Sequence, residues 1–239
     1  MKPFGMLKGA ATGLFVLSLP VLFGTLSLRW LVSDTAWYRA GFAKYGVSQR
    51  TGIAPEELAR SADEISRYLL LQRDSVDISV KIGNDYRAIF NDREIRHMSD
   101  VQSLLRGFYN LQIIAAAYAA FYLGASWLWQ RASYRLAVGN QLRWGGVLTL
   151  GLFGAFGLLS LLDFDEIFLQ FHLVSFDNDL WILDPTKDNL IMMFPQGFWY
   201  DSAIRLALAT AGQALGAVVV GTLLAIKPKG DGRRRSRAR

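Results

Sequence analysis

Four stretches of this chain carry no charged residue: Gly9 to Leu28, Gly107 to Gln130, Trp144 to Leu162 and Leu206 to Ile226, which are 20, 24, 19 and 21 residues long. About 20 apolar residues in helical form cross the ~30 Å of a bilayer's hydrocarbon. Four such runs exclude an ordinary soluble globule. A membrane β-barrel is excluded too, because its strands alternate in polarity over ~10 residues. Only 19% of the residues are charged, against about 25% in average soluble domains. The fold class read from this pattern is an α-helical integral membrane protein with four transmembrane helices and a small α+β extracytoplasmic cap.

The distribution of lysine and arginine sets the orientation. The amino end carries Lys2 and Lys8, and the loop after the second run carries Arg131, Arg135 and Arg143. The carboxyl tail carries seven more basic residues. Together these segments hold twelve basic residues against one acid, Asp231, while the rest of the chain has a net charge of −5. Both ends and the middle loop are therefore expected in the cytoplasm. The expected layout is a first transmembrane helix with its amino end over 1–29, a cap over 30–106, a second helix over 107–130 and a cytoplasmic loop over 131–143. A third helix over 144–162, an aromatic-rich outer segment over 163–203, a fourth helix over 204–226 and a basic tail over 227–239 complete it. The first run is followed by Ser27-Leu28-Arg29-Trp30 and lacks the small-residue cleavage site of a secretory signal, so it reads as a retained helix, kinked at Pro20. The basic tail reads as an inside-facing flank, and no nucleic acid is expected as a partner.

The outer segment 30–106 has its own pattern. Ser33 to Tyr45 reads as a short helix, and Pro55 with Glu56 and Glu57 opens another that runs to Leu71. Val76, Ile78, Val80 and Ile82 alternate with polar residues up to Gly83-Asn84-Asp85, which predicts a hairpin returning through Tyr86 to Phe90. Ser99 and Gln102 have capping-box spacing, so the helix leading into the second span is expected to begin there, just after His97. The segment 163–203 is too apolar for a free loop and too interrupted by Asp and Pro for a span. Its Phe and Trp suit the headgroup level.

The chemistry available is narrow. The chain has no cysteine, so a thiol nucleophile, cysteine zinc ligands and disulfides are absent. Serine-elbow, H-E-x-x-H and phosphate-loop motifs are missing as well. Only two histidines exist, His97 and His172, and both fall in outer segments beside acids: Glu94 and Asp100 near the first, Asp177 and Asp179 after the second. A single interfacial histidine is commonly structural, but two on one face beside carboxylates have the makings of an acid–base pair. Two histidines fall short of the three protein ligands of an ordinary zinc site, so neither a metal nor another cofactor is expected. His172 and Asp177 also have the H-x4-D spacing of glycerolipid acyltransferases, a weak signal, and such an enzyme would place its site on the cytoplasmic side.

Two segments carry a resemblance. Phe90-Asn-Asp-Arg-Glu94-Ile-Arg-His97-Met98-Ser-Asp100-Val101 is similar to one signature of the bacterial lipoprotein intramolecular transacylases. Phe171-His172-Leu-Val-Ser-Phe176, Trp181, Asp184-Pro185, Asp188-Asn-Leu190-Ile191, Phe194-Pro195 and Phe198-Trp199 resemble the other. The resemblance implies an enzyme of the bacterial cytoplasmic membrane whose partners are diacylated lipoproteins and membrane lipids. It would move an acyl chain from the glyceryl sn-2 ester to the free α-amine of the modified N-terminal cysteine. His97 and His172 would be catalytic, with His97 the preferred base. Glu94 and Asp100 would support them, and Phe171, Phe176, Trp181, Phe194, Pro195 and Trp199 would line the substrate site. Core packing is the competing reading of each aromatic taken alone. A non-catalytic membrane protein whose cap binds a lipid or a protein partner is the alternative from another class.

Overall fold

The computed structural model describes residues 3–83 and 85–226, so Lys2, the turn residue Asn84 and the basic tail 227–239 lie outside the described residues. Its elements are α1 (Pro3–Ser33), α2 (Thr35–Lys44), α3 (Val47–Thr51), α4 (Pro55–Leu69), β1 (Ser79–Ile82), β2 (Asp85–Ala88), α5 (Asp92–Gln130), α6 (Tyr134–Leu162), α7 (Phe164–Ser175), α8 (Asn189–Met193) and α9 (Gln196–Ala225). Among the described residues, three helical runs are long and apolar enough to cross a membrane: Gly5–Ser33, Asp92–Leu162 and Gln196–Ala225. The 71-residue middle run comprises α5 and α6, broken by a 3-10 turn at Arg131–Ser133 where Arg131 takes a φ of 45°. The α1 helix runs through Pro20.

Side-chain contacts give the helix directions. The Tyr118 hydroxyl donates to the Ala11 carbonyl at 2.7 Å, and Tyr122 meets Thr12 at 2.8 Å and stacks on Phe15. Higher up, Arg29 lies over the ring of Tyr109. Rising α1 numbers thus meet falling α5 numbers, and the two helices are antiparallel. The same reading of α9 on α1 comes from Gln213, which donates to Ser27 at 2.6 Å, and from Arg205 over Trp30. Helices α6 and α9 pack through small residues: a Cβ at Gly139 would sit 2.6 Å from the Gly221 carbonyl, and one at Gly146 would sit 2.7 Å from that of Ala214. Close backbone approach of this kind is how helices associate in lipid, where no hydrophobic effect drives them together.

A small α/β body, the cap, sits where α1 ends and α5 and α9 begin. In α4, Pro55 occupies the first turn with Glu56 and Glu57, and Leu58, Ala62, Ile65, Tyr68 and Leu69 are buried at helical spacing. The strands pair antiparallel with Val80 opposite Arg87 and Ile82 opposite Asp85. Val76, Ile78 and Val80 point into the core. Leu190, Met193, Phe194 and Phe198 from the second outer segment enter the same core as Tyr38, Phe42 and Ile65. The two segments therefore build one body.

The helix carrying His97 starts earlier than the Ser99/Gln102 spacing suggests. Asn91 caps it, accepting from the backbone N–H groups of Arg93 and Glu94, while Glu94 returns a bond to the Asn91 N–H at 2.7 Å. Gln102 lies inside the helix and donates to the carbonyls of Tyr68 and Arg73. Asn91-Asp-Arg-Glu94 is itself a capping-box pattern, set before a stretch too polar to read as the start of a span. His97 is consequently in the second turn of α5, on a rigid element.

Candidate active site

His97 on α5 and His172 near the end of α7 are 75 positions apart in sequence, yet their ring centroids lie 6.2 Å apart, with planes 31° from parallel. Each is 7% exposed. The Nδ1 atom of His172 is 2.7 Å from the Phe168 carbonyl, one turn back on α7. A carbonyl only accepts, so Nδ1 carries the proton and Nε2 keeps its lone pair. On His97 the Nδ1 atom is buried without a hydrogen-bond partner.

Burial disfavours the charged form of both rings. It is the main cause that pushes His97 down to about 4, the neighbouring His172 adding to the shift and Asp100 opposing it. His172 is also lowered, by burial, against the Phe168 carbonyl. Both imidazoles are therefore neutral at pH 7. The unfolded chain binds protons at these positions more readily, so stability falls as pH drops below the ordinary histidine value of 6.5, for His97 down toward about 4.

Aromatic rings enclose the pair. Phe168, Trp181, Phe171 and Phe176 stand 4.3, 4.9, 5.3 and 5.7 Å from His172, and Phe176 is also edge-on to His97 at 5.2 Å. Such a shell excludes water and sharpens electrostatics within it. Among the described residues no group of three or more histidine, aspartate and glutamate side chains is placed to hold a metal ion.

The carboxylates beside this centre fasten its walls. Glu94 is 1% exposed. One of its oxygens accepts from the Asn91 N–H and the other from the Leu190 N–H at 2.6 Å, which ties α5 to α8. Burial raises its carboxyl above the usual range, and the backbone N–H bonds oppose that rise. Asp188 completes the tie, accepting from the Asn91 side chain at 2.9 Å and from the Asp184 N–H at 2.7 Å. Asp100 accepts from Asn178 at 3.0 Å, and Arg93 donates to the Asp179 carbonyl. These bonds hold the loop carrying Phe176 and Trp181 against the turn that carries His97.

A model of the family described as lipoprotein intramolecular transacylase Lit matches residues 13–199. The chain belongs to this family. The solved structure of the membrane-integral lipoprotein intramolecular transacylase Lit from Bacillus cereus superposes with a TM-score of 0.76 at 20% identity, covering 92% of this chain and 96% of that one. A variant of that protein with a histidine changed to arginine superposes at 0.71. An uncharacterized protein of Aquifex aeolicus (strain VF5) is 30% identical over 128 residues, 54% of each chain, so the match spans about half the length of that curated relative.

Within this transacylase-family fold, the residues singled out from sequence divide into two groups. His97, His172, Phe171, Phe176 and Trp181 converge at one centre. Phe194 is buried against Tyr38, Phe42 and Phe198 in the cap core, and Pro195 caps α9. Trp199 links the groups, its ring 6.0 Å from Phe194 and 6.5 Å from Phe168. Sequence reading missed Phe168, whose ring is 4.3 Å from His172 and whose carbonyl sets the tautomer. The signal was its position four residues before His172 on an apolar helical run.

Proposed function

We propose that this transacylase-family protein moves an acyl chain within one diacylated lipoprotein, from the glyceryl sn-2 oxygen to the α-amine of the N-terminal cysteine. The observation that carries this reading is the neutral histidine pair with centroids 6.2 Å apart in an aromatic enclosure. Attack of the amine closes a ring through N, Cα, Cβ, S, two glyceryl carbons, oxygen and the acyl carbon. A ring of eight atoms closes reluctantly, and holding its ends together can supply up to roughly 7–11 kcal/mol.

Proton balance assigns the roles. The amine nitrogen bonds to the acyl carbon, and the Nε2 lone pair of His172 takes the N–H proton. The bond from acyl carbon to glyceryl oxygen then breaks, and His172 returns the proton to that oxygen. His97, neutral at pH 7, donates an N–H to the oxygen of the tetrahedral intermediate. We take His172 as base in preference to His97 because an Nδ1–H donated to the Phe168 carbonyl leaves Nε2 with a free lone pair. No acyl-enzyme forms, in keeping with a chain that has no cysteine.

Expressed in a bacterium that leaves its lipoproteins diacylated with a free amine, the protein should convert them to the lyso form. Mass spectrometry of the N-terminal lipopeptide should show an unchanged total mass, with one acyl chain now in amide linkage. A gain of one chain would instead mean an intermolecular acyltransferase, and an unmodified amine would contradict the reading.

The membrane arrangement we propose has four spans with both ends cytoplasmic and the cap and histidines on the outer face. The antiparallel packing of α1 with α5 and of α6 with α9 supports it, as does the basic excess on the inner segments. Cysteines introduced as Gln49→Cys and Asp179→Cys should react with an impermeant thiol reagent in whole cells, and Ala132→Cys should not. Labelling of Ala132→Cys alone would invert the topology.

A further inference from the structure

Away from the histidines, a cavity of about 270 Å³ lies at the seam between the helices and the cap, with Leu26, Arg29, Trp30, Leu70, Gln72 and Gln112 in its wall. No acidic side chain lines it. Its one charge, Arg29, rests over the Tyr109 ring at 5.0 Å. Among the described residues no carboxylate pairs with this guanidinium, whereas Arg205, on Trp30 as well, is neutralised by Asp34 at 2.7 Å. Gln112 is 7% exposed, and its Oε1 has no donor. The wall therefore offers a cation for an anion and an acceptor for a hydroxyl or ammonium group. Leu26, 40% exposed, continues the wall onto the apolar flank of α1.

Arg29 directly follows the uncharged stretch Gly9 to Leu28. In the proposed topology that is headgroup depth, where the abundant anion is a phosphodiester. The volume is just below the ~300–1,000 Å³ of sites that enclose drug-sized ligands, so it admits a headgroup while the acyl chains stay outside. We propose that this cavity binds the headgroup of a glycerophospholipid, its phosphodiester on Arg29 and its hydroxyl or ammonium donor at Gln112, as a lipid fastened between cap and spans. Arginine suits the task because its planar fork pairs with two phosphate oxygens.

The test uses the purified full chain in detergent, where orientation in a membrane plays no part. Failure of the topology would thus appear in the cysteine labelling and leave this measurement unaffected. Native mass spectrometry would titrate phosphatidylglycerol, phosphatidylcholine and inorganic phosphate. We expect one tightly retained phosphatidylglycerol, binding weakened about tenfold or more by Arg29→Gln and partly restored by Arg29→Lys. Gln112→Leu should weaken it less, and phosphatidylcholine, which has the phosphate but no donor, should bind more weakly. Full competition by inorganic phosphate would assign the site to the free anion and overturn the lipid. Equal retention of phosphatidylglycerol by wild type and Arg29→Gln would overturn the site itself.

Discussion

Alanine in place of His172 is expected to slow acyl migration by about 10²–10⁴-fold, the usual effect of removing a general acid–base group. The helix should survive, because α7 is fixed at its start by Asp163, which accepts from the Glu166 N–H at 3.1 Å. His97→Ala should cost a comparable factor if its N–H stabilises the oxyanion, where loss of one donor costs about 10²–10³-fold. An amide substitution separates the two. His97→Gln keeps a donor that does not titrate and should retain more activity than His97→Ala, whereas no uncharged amide can replace the base at position 172. In the wild type the acid limb should follow the substrate amine, near 8, because burial holds both imidazoles below the ordinary histidine value. Activity unchanged in both alanine variants would remove the basis for a histidine mechanism.

The second large effect is on stability. Glu94→Ala would leave the N–H groups of Asn91 and Leu190 buried without acceptors. At about 1–3 kcal/mol for each orphaned donor, the expected loss is roughly 2–6 kcal/mol. For a chain of this size that lowers the melting midpoint by roughly 4–24 °C. Glu94→Gln keeps one acceptor but turns an N–H toward the other donor, so an intermediate loss is expected. Thermal unfolding in detergent reads both variants. A Glu94→Ala protein that melts with the wild type would show that the tie between α5 and α8 contributes little. Activity should fall along with stability, since Arg93 and Asp100, which hold the loop carrying Phe176 and Trp181, stand on the same first turns of α5.

What could be read from the residues alone was whatever a local pattern encodes. The uncharged runs became the apolar cores of α1, α5, α6 and α9, Pro55 with its two acids opened α4, and the alternation before Gly83 became the hairpin. The start of α5 was misplaced because a polar helical turn outside the span lacks apolar periodicity, leaving capping chemistry as the sole signal, and two capping patterns compete there. The pairing of His97 with His172 could be proposed because the charge pattern put both on one expected side of the membrane. Which groups orient them could not. The Glu94 carboxylate finds a backbone N–H 96 positions away, and the Phe168 carbonyl is a backbone group that every residue type shares. Phe194 and Trp199 look alike in sequence, and only tertiary packing sends the first into the cap core, 6% exposed, while the second stays 40% exposed beside Phe168.

The central claim is that the acyl chain never leaves its own substrate molecule. A crossover experiment tests this directly. Two diacylglyceryl-cysteinyl peptides of different sequence would be mixed with the purified protein, only one of them carrying an isotopically heavy sn-2 chain. The account predicts heavy amide solely on the peptide that began with the heavy ester, with both total masses unchanged. Heavy amide on the other peptide would contradict it and show that the acyl chain passes between substrate molecules.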